Sequence, residues 1–154
     1  MTRAPSSTID ARREALRGID AIAVDVIIAP VSESQLGVST DHIRQMAELM
    51  LRIVRLDVVE RADALQNSTS IIQLVVSDVV TNGFGTYYAR LSASLLDVVS
   101  VKRNGREQYA STWSAAQEFK APPGSGMDSV RFAVSAVLTG FCNDLLAANG
   151  PPGS

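Results

Sequence analysis

The chain has 154 residues, 46% apolar and 19% charged, which is enough for one domain with its own core and too apolar for a disordered chain. Its formal net charge is −2, so no overall positive field exists to hold nucleic acid or an anionic membrane. Cys142 is the only cysteine and His42 the only histidine, which excludes an intrachain disulfide and any site built from several thiolates or several imidazoles.

Residues 1–18 read as a polar N-terminal arm, with one short helix over Ser7–Leu16 capped by Ser7 or Thr8 and ending near Gly18. Met1–Arg17 lacks the apolar centre of a secretory leader, and no apolar run reaches the ~20 residues of a membrane span. The expectation is a soluble chain without a transmembrane segment, periplasmic or exported if a leader preceded Met1 and cytoplasmic otherwise.

Asp20–Ala29 is rich in β-branched residues and stops at Pro30, predicting a first strand with Ile22, Val24, Val26 and Ile28 on one face. Ser39 is a good N-cap after the loop containing Gly37. Ile43, Met46, Ala47, Met50, Ile53 and Val54 then recur at helical spacing, predicting a helix from Ser39 to Arg55. Leu56–Val59 reads as a short strand, followed by a polar loop through Ser68.

Two turn signals, Asn82-Gly83-Phe84-Gly85 and Asn104-Gly105, divide Ser70–Gln117 into three long strands. A loop over residues 82–85 sets Thr81 opposite Thr86, and thereby Ile72 opposite Leu95, Leu74 opposite Ala93 and Val76 opposite Leu91. A three-residue second loop with Gly105 as a left-handed bulge sets Leu95 opposite Trp113 and Val99 opposite Tyr109. Ile72, Leu95 and Trp113 then form one row on the core face. The other face, with Gln73, Ser77, Arg90, Ser92, Ser94 and Ser114, is expected to meet water. Met127–Ala148 carries Val130, Val134, Val137, Leu138, Phe141 and Leu145 on one stripe and predicts a second core helix, before a flexible tail at 150–154. The fold class is therefore α+β: a mainly antiparallel sheet of four to five strands with two main helices on one face, forming a single domain over 19–149.

Motifs that carry chemistry are sparse. The chain has no GxSxG, GxGxxG, P-loop or HExxH pattern, and Asn82-Gly83-Phe84-Gly85 is a turn rather than a phosphate cradle. His42, beside Asp41 in a first helical turn, reads as a surface residue with no second catalytic partner. Asp25, Asp78 and Asp97 interrupt apolar strands, but the register keeps Asp78 and Asp97 too far apart to share a metal, and parity turns Asp25 to solvent. Cys142 reads as a buried structural thiol. Asn67-Ser68-Thr69 matches a glycosylation acceptor, which matters only in a secretory setting. No catalytic residue, metal ligand or cofactor is expected.

The order strand, helix, short strand, three-stranded meander, helix carries Leu16-Arg17-Gly18-Ile19 before the first strand and Leu36-Gly37-Val38-Ser39 before the helix. Over Leu16–Ala148 it resembles small exported bacterial α/β modules, the amino-terminal domain of the Tol-Pal translocation protein and the penicillin-binding-protein activator lipoproteins. The resemblance implies contacts with other proteins in the envelope and no catalysis.

The densest basic site is the second hairpin tip, where Lys102, Arg103 and Arg106 surround Asn104-Gly105. A tip projects its charges into water at little desolvation cost, so these three residues are the candidate partner-binding site. The expected function is a noncatalytic interaction or assembly module with a protein partner or further copies of itself. The alternatives are a small-molecule-binding or enzymatic domain using His42, and a subunit of a cytoplasmic homo-oligomer.

Overall fold

The computed structural model describes residues 13–150. Most of the arm expected over Ser7–Leu16 lies outside them, as does the tail from Pro151. Within them the Leu16 N–H closes a turn onto the Arg13 carbonyl at 3.0 Å.

The first strand, β1 (Ala21–Ile28), buries Ile22 and Val24 on one face as its alternation predicts. Pro30 then has two effects: its ring ends the strand and, sitting at the first turn, its fixed φ starts a helix, α1 (Pro30–Leu36). Sequence patterning predicts a loop here, because seven residues that bury only Ser32 and Leu36 show no stripe. Gly37, at φ 65°, closes α1 in the left-handed conformation.

The helix α2 (Thr40–Ile53) starts after Ser39 as expected, but the Ser39 side chain does not cap it. The Glu33 carboxylate of α1 accepts instead from the Thr40 N–H at 3.0 Å and the Thr40 hydroxyl at 2.6 Å. These two bonds favour the ionised form and hold the Glu33 carboxyl below its usual range. The chain next makes β2 (Asp57–Val59) and a second short helix, α3 (Arg61–Asn67), where the residue pattern predicts a polar loop. Ala64 is the only buried residue of α3, so no hydrophobic period betrays it. The long strands β3 (Ser70–Thr81), β4 (Tyr87–Ser100) and β5 (Glu107–Ala121) follow, and α4 (Gly126–Asn149) ends the fold. By length and composition alone α4 could cross a membrane, but its stripe of Val130, Val134, Leu138 and Phe141 is buried in the core.

One five-stranded sheet results, in the order β2-β1-β3-β4-β5. The long β3-β4 and β4-β5 ladders are antiparallel, while β1 pairs in parallel with both β2 and β3. The parallel pairs follow from connectivity, since α1 with α2, and then α3, carry the chain back to the end where β1 began. Helices α2 and α4 pack on one face, over Val24, Ile72, Leu74, Leu91, Leu95 and Trp113, and on each other. On the opposite face Ala64 of α3 meets Ala23 and Ile71 in a small second cluster, so one end of the face expected to be wet is covered.

The registers are right at the core row and wrong at the turns. Ile72 pairs with Leu95, Leu74 with Ala93, Val76 with Leu91 and Leu95 with Trp113, as the apolar matching requires. Toward the first turn, however, a bulge sets Asp78 and Val79 against Ala89, and Thr81 then faces Tyr87 rather than Thr86. Asp78 takes φ 56° there, a left-handed value that aspartate tolerates better than the β-branched residues around it. In the second hairpin the extra residue is Thr112, not Gly105. The turn is longer by one residue, Val101 N–H bonding Arg106 O at 2.8 Å, and Tyr109 faces Val98 instead of Val99. That shift turns Tyr109 to the α3 side, where its hydroxyl lies 3.1 Å from Ala64 O and 3.0 Å from Thr69 O.

Candidate interaction surface

The basic tip is a hydrogen-bonded turn. Gly105, at φ 70°, sends its N–H to Val101 O at 2.7 Å, and the Asn104 side-chain oxygen accepts from Arg106 N–H at 3.0 Å. Lys102, Arg103 and Arg106 are all exposed, and none is in an ion pair among the described residues. The three charges are thus presented together at one end of the sheet, next to the first residue of β5.

Beside the tip runs a feature that hydrophobic periodicity could not reveal. β5 is 15 residues long and, among the described residues, lies at the edge of the sheet, laddered to β4 alone. An open edge of that length is a template for another strand, and folds usually blunt it with charges, proline or bulges. Here Glu107 guards one end and Glu118 with Lys120 the other. The stretch Ala110–Gln117 between them carries no charge and no proline, and the bulge at Thr112 is its one interruption.

The helix above extends this surface. Phe132 of α4 is 67% exposed and shares an open hollow with Glu118, Phe119 and Lys120 of β5. Further along α4, Asp144 accepts from the indole N–H of Trp113 at 3.1 Å and pairs with Arg13 at 3.3 Å. Ala136 and Gly140, both exposed, lie between Phe132 and Asp144 on the same ridge of the helix.

The remaining candidates are dispersed. His42 is exposed in the first turn of α2, and its side chain has no hydrogen bond or ion pair among the described residues. Asp78 lines the hollow beside Tyr88 and Arg90, at the opposite end of the sheet from Asp97. Asp97 is bound locally, accepting from the Ser70 hydroxyl and from the Thr112 hydroxyl at 2.6 Å. Asp25 is not simply solvated, because Arg61 of α3 lies 3.5 Å from it and Gln73 donates to it at 3.4 Å. Cys142 is buried in α4, and burial pushes its thiol up to about 11, which leaves it protonated and inert near neutral pH. No group of three or more His, Cys, Asp or Glu residues suited to a metal occurs among the described residues.

No protein-family model matches the chain, and no curated protein does. Solved structures do. A PelC dodecamer from Paraburkholderia phytofirmans that carries one leucine-to-methionine substitution is 22% identical with a TM-score of 0.50, over 90% of this chain and 92% of that one. A second PelC dodecamer from the same organism is 16% identical over 90% and 93%, with a TM-score of 0.46. A minor lipoprotein from Acinetobacter baumannii is 8% identical over 85% and 93%, with a TM-score of 0.41. At these identities the likeness is one of fold. It is a likeness to bacterial proteins, though not to the two families whose element order the sequence resembles.

Proposed function

We propose that the chain is a noncatalytic assembly module that associates with further copies of itself through the open β5 edge and the basic tip. The observation that carries this reading is the edge itself: a 15-residue strand that among the described residues is laddered to β4 alone, with no charged side chain between Glu107 and Glu118 to repel a second strand. Main-chain hydrogen bonds across such an edge supply affinity without any dedicated pocket. The dispersal of the titratable side chains supports a role in contact rather than catalysis, and the PelC structure of similar fold is a dodecamer.

Sedimentation velocity over a range of protein concentrations tests the reading. The expected result is a reversible, concentration-dependent species heavier than the 16.4 kDa chain. Replacing Lys102, Arg103 and Arg106 together with Ser is expected to weaken association and flatten its salt dependence, while thermal stability stays close to that of the parent. A chain that sediments as a monomer at every concentration would overturn the proposal.

A further inference from the structure

The two edges of the sheet are chemically opposite at the same end of the molecule. The basic tip stands beside the start of β5. At the far edge β1 and β2 begin at that same end, since Asp57 pairs with Ala21, and Ile22 with Ser70 at the start of β3. Around that edge Asp20, Asp57, Glu60 and Asp63 are exposed, and none is in an ion pair among the described residues. Of the nearby cations Arg61 is engaged with Asp25 and Arg17 with Glu14, which leaves Arg52 and Arg55 against four carboxylates.

Strand direction fixes how these charges can meet. Two antiparallel steps separate β3 from β5, so β5 runs parallel to β3 and hence to β1 and β2. A second copy set with its β2 edge against β5, and turned only about an axis along the strands, brings its acidic end to the basic tip. Two-fold pairing of β5 with itself does the reverse. Centred on the strand, it lays the tip beside the partner's Pro122–Gly126 segment, which carries no charge.

From this charge complementarity we infer that copies of the chain join head to tail, the β5 edge and basic tip of one against the β2 edge and acidic end of the next. The inference rests on the assembly reading and gives it a geometry. Each copy offers one edge of each kind, so the contact is heterologous, and repetition closes a ring or runs on as a filament. Because β2 has only three residues, the shared main-chain ladder is short, and the charges decide partner and register.

Charge swapping tests the geometry. Lys102→Glu/Arg103→Glu/Arg106→Glu sets like charges against each other and is expected to weaken association ~10-fold or more at low salt, as is Asp20→Lys/Asp57→Lys. An equimolar mixture of the two variants is expected to associate like the parent, and so is one chain carrying all five changes. All substituted positions are exposed, and circular dichroism melts confirm that each variant folds. If the parent assembles and the tip-reversed variant assembles equally well, the head-to-tail contact is wrong while the assembly reading stands. Loss of association in each single-sided variant, with no recovery in the mixture or in the five-fold variant, overturns it too. A parent that never associates removes both.

Discussion

Trp113→Ala is expected to lower the unfolding free energy by ~3–5 kcal/mol, the range for truncating a large buried aromatic. The indole is 2% exposed at the centre of the core face, opposite Leu95, with its ring edge-on to Phe141 at 5.1 Å and 76°. Truncation removes that pair and opens a void under α4. It also removes the indole donor from Asp144, leaving that part-buried carboxylate with Arg13 as its remaining side-chain partner among the described residues. Urea unfolding of parent and variant reads the difference directly. A variant within ~1 kcal/mol of the parent would mean that β5 and α4 do not meet through this residue.

The addition of a single methyl group is expected to cost nearly as much. Gly126, the first residue of α4, lies so close to the end of α1 that a Cβ would stand 1.7 Å from the Leu36 carbonyl oxygen. That oxygen belongs to main chain and has no rotamer to retreat into. Gly126→Ala must therefore push α4 away from α1, and a loss of ~1–3 kcal/mol or more is expected. The same substitution at Gly140 supplies the control, because an added Cβ there meets nothing within 4 Å. Gly140→Ala is expected to gain up to ~1 kcal/mol from helix propensity alone. Equal effects at the two positions would show that the approach of α1 to α4 is not what Gly126 serves.

The contrast between what the residues foretell and what they hide has physical causes. The row Ile72, Leu95, Trp113 is legible because burial of one sheet face allows only one register, and a one-residue slip would bring apolar side chains to the wrong side. Both bulges escape for a related reason. Each adds a residue between the core row and a turn, and the Thr112 bulge is offset by the longer loop at Val101–Arg106, so the row itself is unchanged. Helices α1 and α3 bury too few side chains to show a period. The parallel pairing of β1 with β3 depends on α3, which carries the chain from β2 back to the end where β3 starts.

For the candidate surface the division is sharper. The cluster Lys102, Arg103, Arg106 is visible in the sequence because the three residues are neighbours in the chain. Its acidic counterpart joins Asp20 to Asp57, Glu60 and Asp63, two segments that the pairing of β1 with β2 brings together. Periodicity reports which face of β5 is buried. It cannot report that, among the described residues, β5 has a neighbouring strand on one side only, and the assembly reading depends on that placement.

Amide hydrogen exchange along β5, followed as protein concentration rises, tests that dependence most directly. The amides at the tip end of β5, Glu107–Ser111, that point away from β4 are expected to exchange faster in the dilute monomer and to gain protection as copies associate. Protection should rise with the fraction assembled and fall again when salt separates the charged ends. Association with no added protection along β5, or with protection confined to the exposed face of α2, would contradict the account.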